Sequence, residues 1–375
     1  MKYFTDIWKN IDWEDIALRI NNKTYKDVEL ALNSSKLDNE GIMSLLSPSA
    51  ANYIEHISQK SKYLTRQRFG NTISFFIPLY LSNLCSNECT YCGFSINNKI
   101  KRKILNASEI IDECKVIKKL GLDRILLVTG EHSNKVGMKY FLKHINILRN
   151  KFSSVFMEVQ PLMQDEYILL KRYGVDGFYL YQETYSKKCY DYHHLKGNKA
   201  DFFFRLKTPD IIGNSGINKI GLGILLGLSD NWRVDCYFMA LHFLWLRKIY
   251  WKTSFSISFP RLRSCIGGIK NKNIISDLHF LQIICAFRLL APELELSLST
   301  RESEYLRDNI VPIAINSMSV FSKTSPGGYN NSSGFSELEQ FSLRDKRTPK
   351  EVSDAMIRLG LQPIFKDWDY YLGRR

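Results

Sequence analysis

The sequence predicts a (β/α)8 barrel of the TIM type, and three observations predict it. From about residue 70 the chain alternates short β-type runs with helical ones, eight times over. That order builds a closed parallel sheet with its helices outside. Several strand runs are apolar at odd and even positions alike, as strands covered on both faces are. A cluster of cysteines follows directly on the first run, at the strand end where barrels carry their sites. A doubly wound open sheet is the alternative. Its dinucleotide loop would start at Gly221 and Gly223, but Gly227 comes one place late for G-x-G-x-x-G. Those glycines are read as barrel packing or as close backbone approach to a ligand.

Residues 1–70 are expected to form a mostly helical extension, and residues 71–320 the barrel. Residues 321–375 then give a loop, a helix and an aromatic tail packed on the barrel. Strands are expected at Ile73–Leu81, Arg124–Val128, Val155–Val159 and Gly177–Tyr181, then at Lys219–Leu225, Ser254–Phe259, Leu294–Ser299 and Ile313–Ser317. The clearest helix has Ser108 as its N-cap. It carries Ile110, Ile111, Cys114, Ile117 and Leu120 on one face and stops at Gly121. Further helices are expected over Met138–Phe152, Asp165–Tyr173, Asp230–Tyr250 and Ser276–Leu290. Ser325–Gly334, rich in Gly, Ser and Asn, is a loop by composition. A helix around Pro349 to Leu359 and the aromatic run Trp368–Tyr371 close the chain.

The 375 residues are 45% apolar and 24% charged, a globular composition that excludes a wholly disordered or fibrous chain. The longest apolar stretches, such as Ile73 to Leu81 and Ile220 to Leu228, are about nine residues, short of the roughly 20 of a membrane span. Met1 to Asp6 lacks the basic start and apolar core of a secretory signal. A soluble, cytoplasmic protein with no membrane contact is expected. Its 52 basic side chains exceed the 38 acidic ones, for a formal charge of +14. The positives are scattered, and the one dense basic run, Lys99 to Lys103, is five residues long. With no RNA-binding or helix-turn-helix signature beside it, no nucleic-acid partner is expected.

Eight cysteines are too few for a disulfide scaffold in a chain of this length. Cys114, Cys189, Cys236, Cys265 and Cys285 stand alone and are read as buried small apolar side chains. Cys85-Ser-Asn-Glu-Cys89-Thr-Tyr-Cys92 differs, with the spacing C-x3-C-x2-C. Three thiolates within eight residues can wrap one metal centre from a single loop. Structural zinc takes four protein ligands, and no nearby fourth Cys or His offers itself. Three thiolates suit a 4Fe–4S cluster with one iron left open. A zinc knuckle, or a chance cluster of buried cysteines, is the bland alternative.

This spacing resembles the signature of the radical S-adenosylmethionine (SAM) superfamily. The resemblance implies that Cys85, Cys89 and Cys92 hold a 4Fe–4S cluster whose fourth iron is chelated by SAM. Tyr91 matches the aromatic position that packs near the adenine. Thr129-Gly130-Glu131 resembles the superfamily's Gly-Gly-Glu motif, with Thr129 in place of the first glycine, which implies that Gly130 and Glu131 meet the SAM amino group. Further along, Tyr181–Tyr185, Phe204–Pro209, Ile220–Leu228, Ser258–Arg263, Leu298–Glu302, Gly327–Asn330 and Lys366–Asp369 follow in order. Together they are similar to the tyrosine lyases of thiamine thiazole biosynthesis, over most of the chain.

That resemblance implies splitting of SAM into methionine and a 5′-deoxyadenosyl radical, which takes hydrogen from the amino nitrogen of L-tyrosine. The Cα–Cβ bond then breaks, giving 2-iminoacetate (dehydroglycine) and, by way of a 4-oxidobenzyl radical, p-cresol. By the same resemblance Glu183 meets the ribose hydroxyls and Arg205 pairs with the methionine carboxylate, as a planar guanidinium can. Arg205 would otherwise be an ordinary helix-surface arginine. Arg301 is the first candidate for the tyrosine carboxylate, with Arg261 and Arg263 as alternatives. His193 and His194 lie in a polar run read as a lid or surface helix, and they receive no role. The resemblance also implies a complex with thiazole synthase, and a basic surface suits a small acidic donor such as reduced flavodoxin.

Three rivals are weighed against this reading. A related tyrosine lyase, which serves a hydrogenase cofactor, carries extra cluster cysteines in a C-terminal domain, whereas here no cysteine follows Cys285. Another radical SAM lyase or ring-forming enzyme with a different aromatic substrate is a further alternative. A non-enzymatic iron–sulfur or zinc module that binds nucleic acid is the rival from a different class.

Overall fold

The computed structural model describes residues 2–270, 273–330 and 338–366. Eight parallel strands close on themselves: β1 (Thr72–Ser82), β2 (Arg124–Thr129), β3 (Ser154–Glu158), β4 (Gly177–Glu183), β5 (Lys219–Ile224), β6 (Ser254–Ser258), β7 (Glu295–Leu298) and β8 (Ser317–Ser319). Neighbours in sequence are neighbours in the sheet, and β8 pairs back onto β1 with Ser74 opposite Ser317. A short strand, Gln362–Ile364, lies parallel to the start of β1. The predicted barrel is the observed one.

Strand periodicity divides the apolar residues into two populations. Ile73, Phe75, Ile77 and Leu79 of β1, with Ile125, Leu127, Val155, Met157, Ile220 and Leu222, point outward into the large core beneath the helices. The alternate residues Phe76, Tyr80, Leu126, Val128, Phe156 and Tyr179 form a separate cluster inside the barrel. At the N-terminal ends of the strands Glu295 accepts from Arg124 at 2.9 and 3.0 Å and from Lys219 at 3.0 Å. That largely buried triad closes the barrel floor at the end opposite the strands' C-termini.

The eighth strand lies further along than Ile313–Ser317. Ile313 and Ala314 end the helix Glu304–Ala314, which is capped by Ser303, and the strand starts at Ser317. Its residues Ser-Met-Ser carry little apolar signal because two serines turn toward the interior, while the apolar run before them is helical. The helix after β1 is capped by Asn106, not Ser108. Asn106 accepts from Glu109 N at 3.0 Å and the Glu109 carboxylate accepts from Asn106 N at 2.9 Å, a capping box that Ser108 has no partner to make. The other expected helices are Met138–Arg149, Gln164–Arg172, Trp232–Ile249, Asp277–Leu290 and Pro349–Arg358.

The N-terminal segment is helical: Phe4–Trp8, Trp13–Asn21, Tyr25–Asn33, Asn39–Leu46 and Ile54–Phe69. It packs on the outside of the barrel helices, with the Phe4 ring stacked on His242 at 4.1 Å and Gln282 donating to the Leu45 and Ser47 carbonyls. Cys114, Cys236 and Cys285 are buried as expected, whereas Cys189 and Cys265 are half-buried, each on a loop or short helix near the cavity. The aromatic run Trp368–Tyr371 and residues 331–334 of the Ser325–Gly334 loop lie outside the described residues. Among the described residues no helix is long and apolar enough to cross a membrane.

Candidate active site

The mouth of the barrel holds a cavity of about 1380 Å³, partly open to solvent, lined from every strand but β5, after which Leu225 joins the wall. Its walls include Cys85, Cys89, Cys92, Gly130, Glu131, Glu158, Glu183, Lys199, Arg205 and Arg301. Residues from separate parts of the chain therefore meet where the fold predicts a site.

The loop after β1 is held from several sides. Ser86 donates to the Glu131 carbonyl from both its backbone nitrogen and its hydroxyl at 2.9 Å. Gly130 packs so closely that a Cβ there would lie 2.4 Å from the Leu84 carbonyl oxygen; the glycine of Thr129-Gly130-Glu131 is thus required by contact with this loop. Arg102 donates to the carbonyls of Asn83, Phe94 and Ser95 at 2.7–2.9 Å. The basic run Lys99 to Lys103 hid this residue, because charge runs usually mark solvated surface. Cys89 pairs with His194 in a small antiparallel ribbon formed by Glu88–Cys89 and His194–Lys196.

That ribbon corrects the reading of the two histidines. Both are buried, and both face the cysteine loop. His193 Nδ1 meets Thr90 Oγ1 at 2.6 Å, and His194 Nε2 meets the Tyr91 hydroxyl at 2.7 Å. The signal missed was aromatic: Tyr190 packs on His194 with ring centroids 3.9 Å apart, which no surface lid requires.

Two buried ion pairs stand beside the loop. Arg205, on the helix Phe202–Asn214, donates to Glu131 at 3.0 Å and to the Tyr181 carbonyl at 2.7 Å. It is buried, not a helix-surface arginine. Burial opposes both charges, but Arg205 and Lys199 hold the Glu131 carboxyl below its ordinary range, and Glu131 holds Arg205 above its own. Lys199 donates to Glu183 at 2.7 Å. Lys199 escaped notice as one of many scattered lysines. Glu183 has φ 70° at a register shift in β4, a left-handed conformation costly for a non-glycine residue and typical of functional sites.

The three candidate arginines separate. Arg301 lines the cavity, its guanidinium 3.4 Å over the Phe341 ring. Arg261 and Arg263 both pair with the buried Glu302 and line a different pocket on the rim. Their charges are engaged there, outside the cavity. Glu158 ends β3 and lines the cavity wall. A carboxylate closing an otherwise apolar strand was the signal that could have marked it.

The donor set around the cysteines fits an iron–sulfur group. Burial pushes the Cys85 thiol up to about 11 and raises Cys89 and Cys92 also, so these thiols are protonated near neutral pH and release their protons on binding a metal. Among the described residues no three His, Cys, Asp or Glu side chains form a single-ion site. The cysteines instead share the wall of a cavity with room for a larger group.

A closed parallel barrel bearing three cysteines after its first strand and Gly-Glu after its second defines a radical SAM enzyme. The family model described as Radical SAM superfamily matches residues 79–240, and that described as Biotin and Thiamin Synthesis associated domain matches residues 258–362. The chain is 58% identical over 374 residues to a 2-iminoacetate synthase of Salmonella typhimurium, covering 100% of this chain and 99% of that one. A 2-iminoacetate synthase of Escherichia coli matches at the same identity and coverage. The crystal structure of HydG, a maturase of the [FeFe]-hydrogenase, superimposes with a TM-score of 0.86 at 28% identity, over 98% of this chain and 80% of that one. The chain belongs to the 2-iminoacetate synthase family, whose members are radical SAM lyases using an iron–sulfur cluster and SAM.

Proposed function

We propose that this chain cleaves the Cα–Cβ bond of L-tyrosine to 2-iminoacetate and p-cresol, as a step toward the thiamine thiazole. The observation that carries the reading is the 58% identity to 2-iminoacetate synthases across the whole chain. The arrangement of the cavity supports it. In this reading Cys85, Cys89 and Cys92 hold a 4Fe–4S cluster. When bound, that cluster supplies the electron that splits SAM and leaves a carbon radical able to take one hydrogen atom.

The chain's own residues position the reactants and exclude water. Gly130 and Glu131 receive the SAM amino group. Glu131 is oriented for this by Arg205 and by Asn87, which donates to it at 2.8 Å. Arg205 also receives the SAM carboxylate, Glu183 takes the ribose hydroxyls, and Tyr91 lies against the adenine in an apolar corner with Leu225 and Leu228. Arg301, stacked on Phe341, receives the tyrosine carboxylate. Thiazole synthase takes up the product, a flavodoxin-like donor provides electrons, and the enzyme works in the cytoplasm. Residues 71–320 form the catalytic unit, flanked in sequence by residues 1–70 and 321–375.

The test is anaerobic. Protein reconstituted with iron and sulfide, reduced, and given SAM and tyrosine is assayed for p-cresol and 5′-deoxyadenosine, with Cys89→Ala as control. Both products, lost in the variant, are expected. Deoxyadenosine without p-cresol overturns the tyrosine assignment.

A further inference from the structure

We infer that Glu158 receives the ammonium group of the amino-acid substrate and takes its proton, so that the amine is neutral when hydrogen is removed from it. The inference rests on the tyrosine reading above and deepens it. Three carboxylates line the cavity: Glu131, Glu158 and Glu183. Glu131 is paired with Arg205 at 3.0 Å and Glu183 with Lys199 at 2.7 Å. Among the described residues no side chain pairs with Glu158 in that way, so its charge is the one left for a ligand.

Its position suits the chemistry. The charged groups that act on it are Glu183, Arg301, Lys199 and Arg205, and Tyr80 and Tyr181 line the same cavity. Glu158 thus shares one cavity wall with Glu183, assigned above to the ribose, and with Arg301, assigned to the tyrosine carboxylate. An α-amino acid carries both its charges on one carbon. With its carboxylate on Arg301, its ammonium falls toward Glu158 and toward the ribose end of the cavity, where the hydrogen is taken. Burial, and then the charge of Glu183, push the Glu158 carboxyl up to about 7, which narrows the gap between this carboxyl and an ammonium and makes Glu158 a better proton acceptor than an ordinary carboxylate.

The step is a proton transfer with no change of oxidation state. One N–H bond of the ammonium breaks, its electron pair stays on nitrogen, and an O–H bond forms on Glu158. Loss of a hydrogen atom from the neutral amine leaves a neutral nitrogen radical, whereas loss from the ammonium leaves a radical cation at far greater cost. The cavity serines Ser258, Ser297 and Ser299 can accept a hydrogen bond from the ammonium, but they are too weakly basic to take its proton.

Equilibrium binding to the unreduced, cluster-loaded protein with SAM present tests this without turnover. The ligands are L-tyrosine and 3-(4-hydroxyphenyl)propionate, which lacks the amino group. Glu158→Gln is expected to weaken tyrosine roughly 10- to 100-fold, the worth of one charge-assisted hydrogen bond, and to leave the analogue and SAM unchanged. Wild-type affinity for tyrosine falls as pH is lowered through 7, because the carboxylate gains its proton there, and this dependence disappears in the Gln variant. If that variant no longer binds SAM, Glu158→Asp decides, and it must keep the preference for tyrosine. Unchanged preference in Glu158→Gln, or no preference in the wild type, overturns the inference and leaves the lyase reading intact. A wild-type protein that binds no tyrosine overturns both.

Discussion

Tyr91 donates its hydroxyl proton to Nε2 of His194 at 2.7 Å, while Nδ1 of the same imidazole donates to the Tyr190 carbonyl at 2.8 Å. Burial and the nearby Lys199 charge hold His194 well below its ordinary titration range. The ring is therefore neutral, and this hydrogen-bond pattern fixes its tautomer. The bond ties the cysteine loop to the segment after β4.

His194→Ala leaves the buried Tyr91 hydroxyl unpaired, a cost of about 1–3 kcal/mol borne by the cysteine loop. The expected result is faster loss of iron to a chelator with little change in the barrel's helical signal. Tyr91→Phe, which leaves the His194 nitrogen as the unpaired group, is expected to give the same direction. Iron retention equal to wild type in both variants refutes the coupling.

The Arg205–Glu131 pair makes a sharper prediction. Removing one partner of a buried pair costs about 3–5 kcal/mol. Arg205→Ala is expected to weaken SAM binding to the cluster-loaded protein by more than about 100-fold, and Arg205→Lys by less, since it keeps the charge and loses the planar fork. Undiminished SAM affinity in the Ala variant assigns the pair a purely structural role.

At the barrel floor the prediction concerns acid. Burial raises the Glu295 carboxyl, but Arg124 and Lys219 outweigh it and hold the group far below its ordinary range. A carboxylate depressed in the folded state adds stability that is in place above its unfolded value of about 4.3. That stability is lost as pH falls toward the folded value. The Glu295 contribution, read as the difference in denaturant unfolding between wild type and Glu295→Gln, is expected to be flat from pH 7 to about 5 and to decline below about 4. Glu295→Gln should cost about 3–5 kcal/mol near neutrality and flatten the acid decline. An unchanged acid slope in that variant removes Glu295 from the account.

The barrel and the cysteine loop were legible because each has a dense local signal. Runs such as Ile73–Leu81 are apolar at both parities, and three cysteines fall within eight residues. The last strand was misplaced because Ser317 and Ser319 face the interior, so a real strand carried no apolar run while the helix before it did. Lys199, His194, Arg102 and Glu158 were not legible as site residues. Each acts through a partner distant in sequence: Glu183 across 16 residues, Tyr91 across 103, the Asn83 carbonyl across 19, and, for Glu158, a ligand. A lone charged residue in a sequence carries no mark of the face it will occupy. Arg301, Arg261 and Arg263 all follow strand ends, and only the position of Glu302 separates them.

That separation is testable. Arg301→Ala is expected to lower kcat/KM for tyrosine roughly 10- to 100-fold, mostly through KM, as loss of a charge-assisted bond to the carboxylate would. Arg263→Ala instead leaves part of Glu302's charge unpaired at the rim and should lower stability, with KM for tyrosine little changed. The reverse pattern of KM effects would return Arg263 to the substrate site.

Gly221 and Gly223 offer a test that touches no polar group. A Cβ on Gly221 would lie 2.0 Å from the Tyr179 ring, and one on Gly223 would lie 2.7 Å from the Tyr181 ring. Both substitutions overpack the barrel, at about 1–3 kcal/mol each. They differ in what the displaced ring does. Tyr179 points down to the floor, its hydroxyl donating to Glu295 at 3.3 Å, so Gly221→Ala should act on stability and leave ligand affinity alone. Tyr181 lines the same cavity as Glu158, and its backbone carbonyl accepts from Arg205. Gly223→Ala should therefore weaken tyrosine binding several-fold. SAM binding should fall only if the backbone of β4 moves with the ring. Comparing the two affinities in this one variant tells whether the strand is rigid where the substrate meets the cofactor site. Loss of tyrosine affinity alone means that the ring yields and the backbone holds.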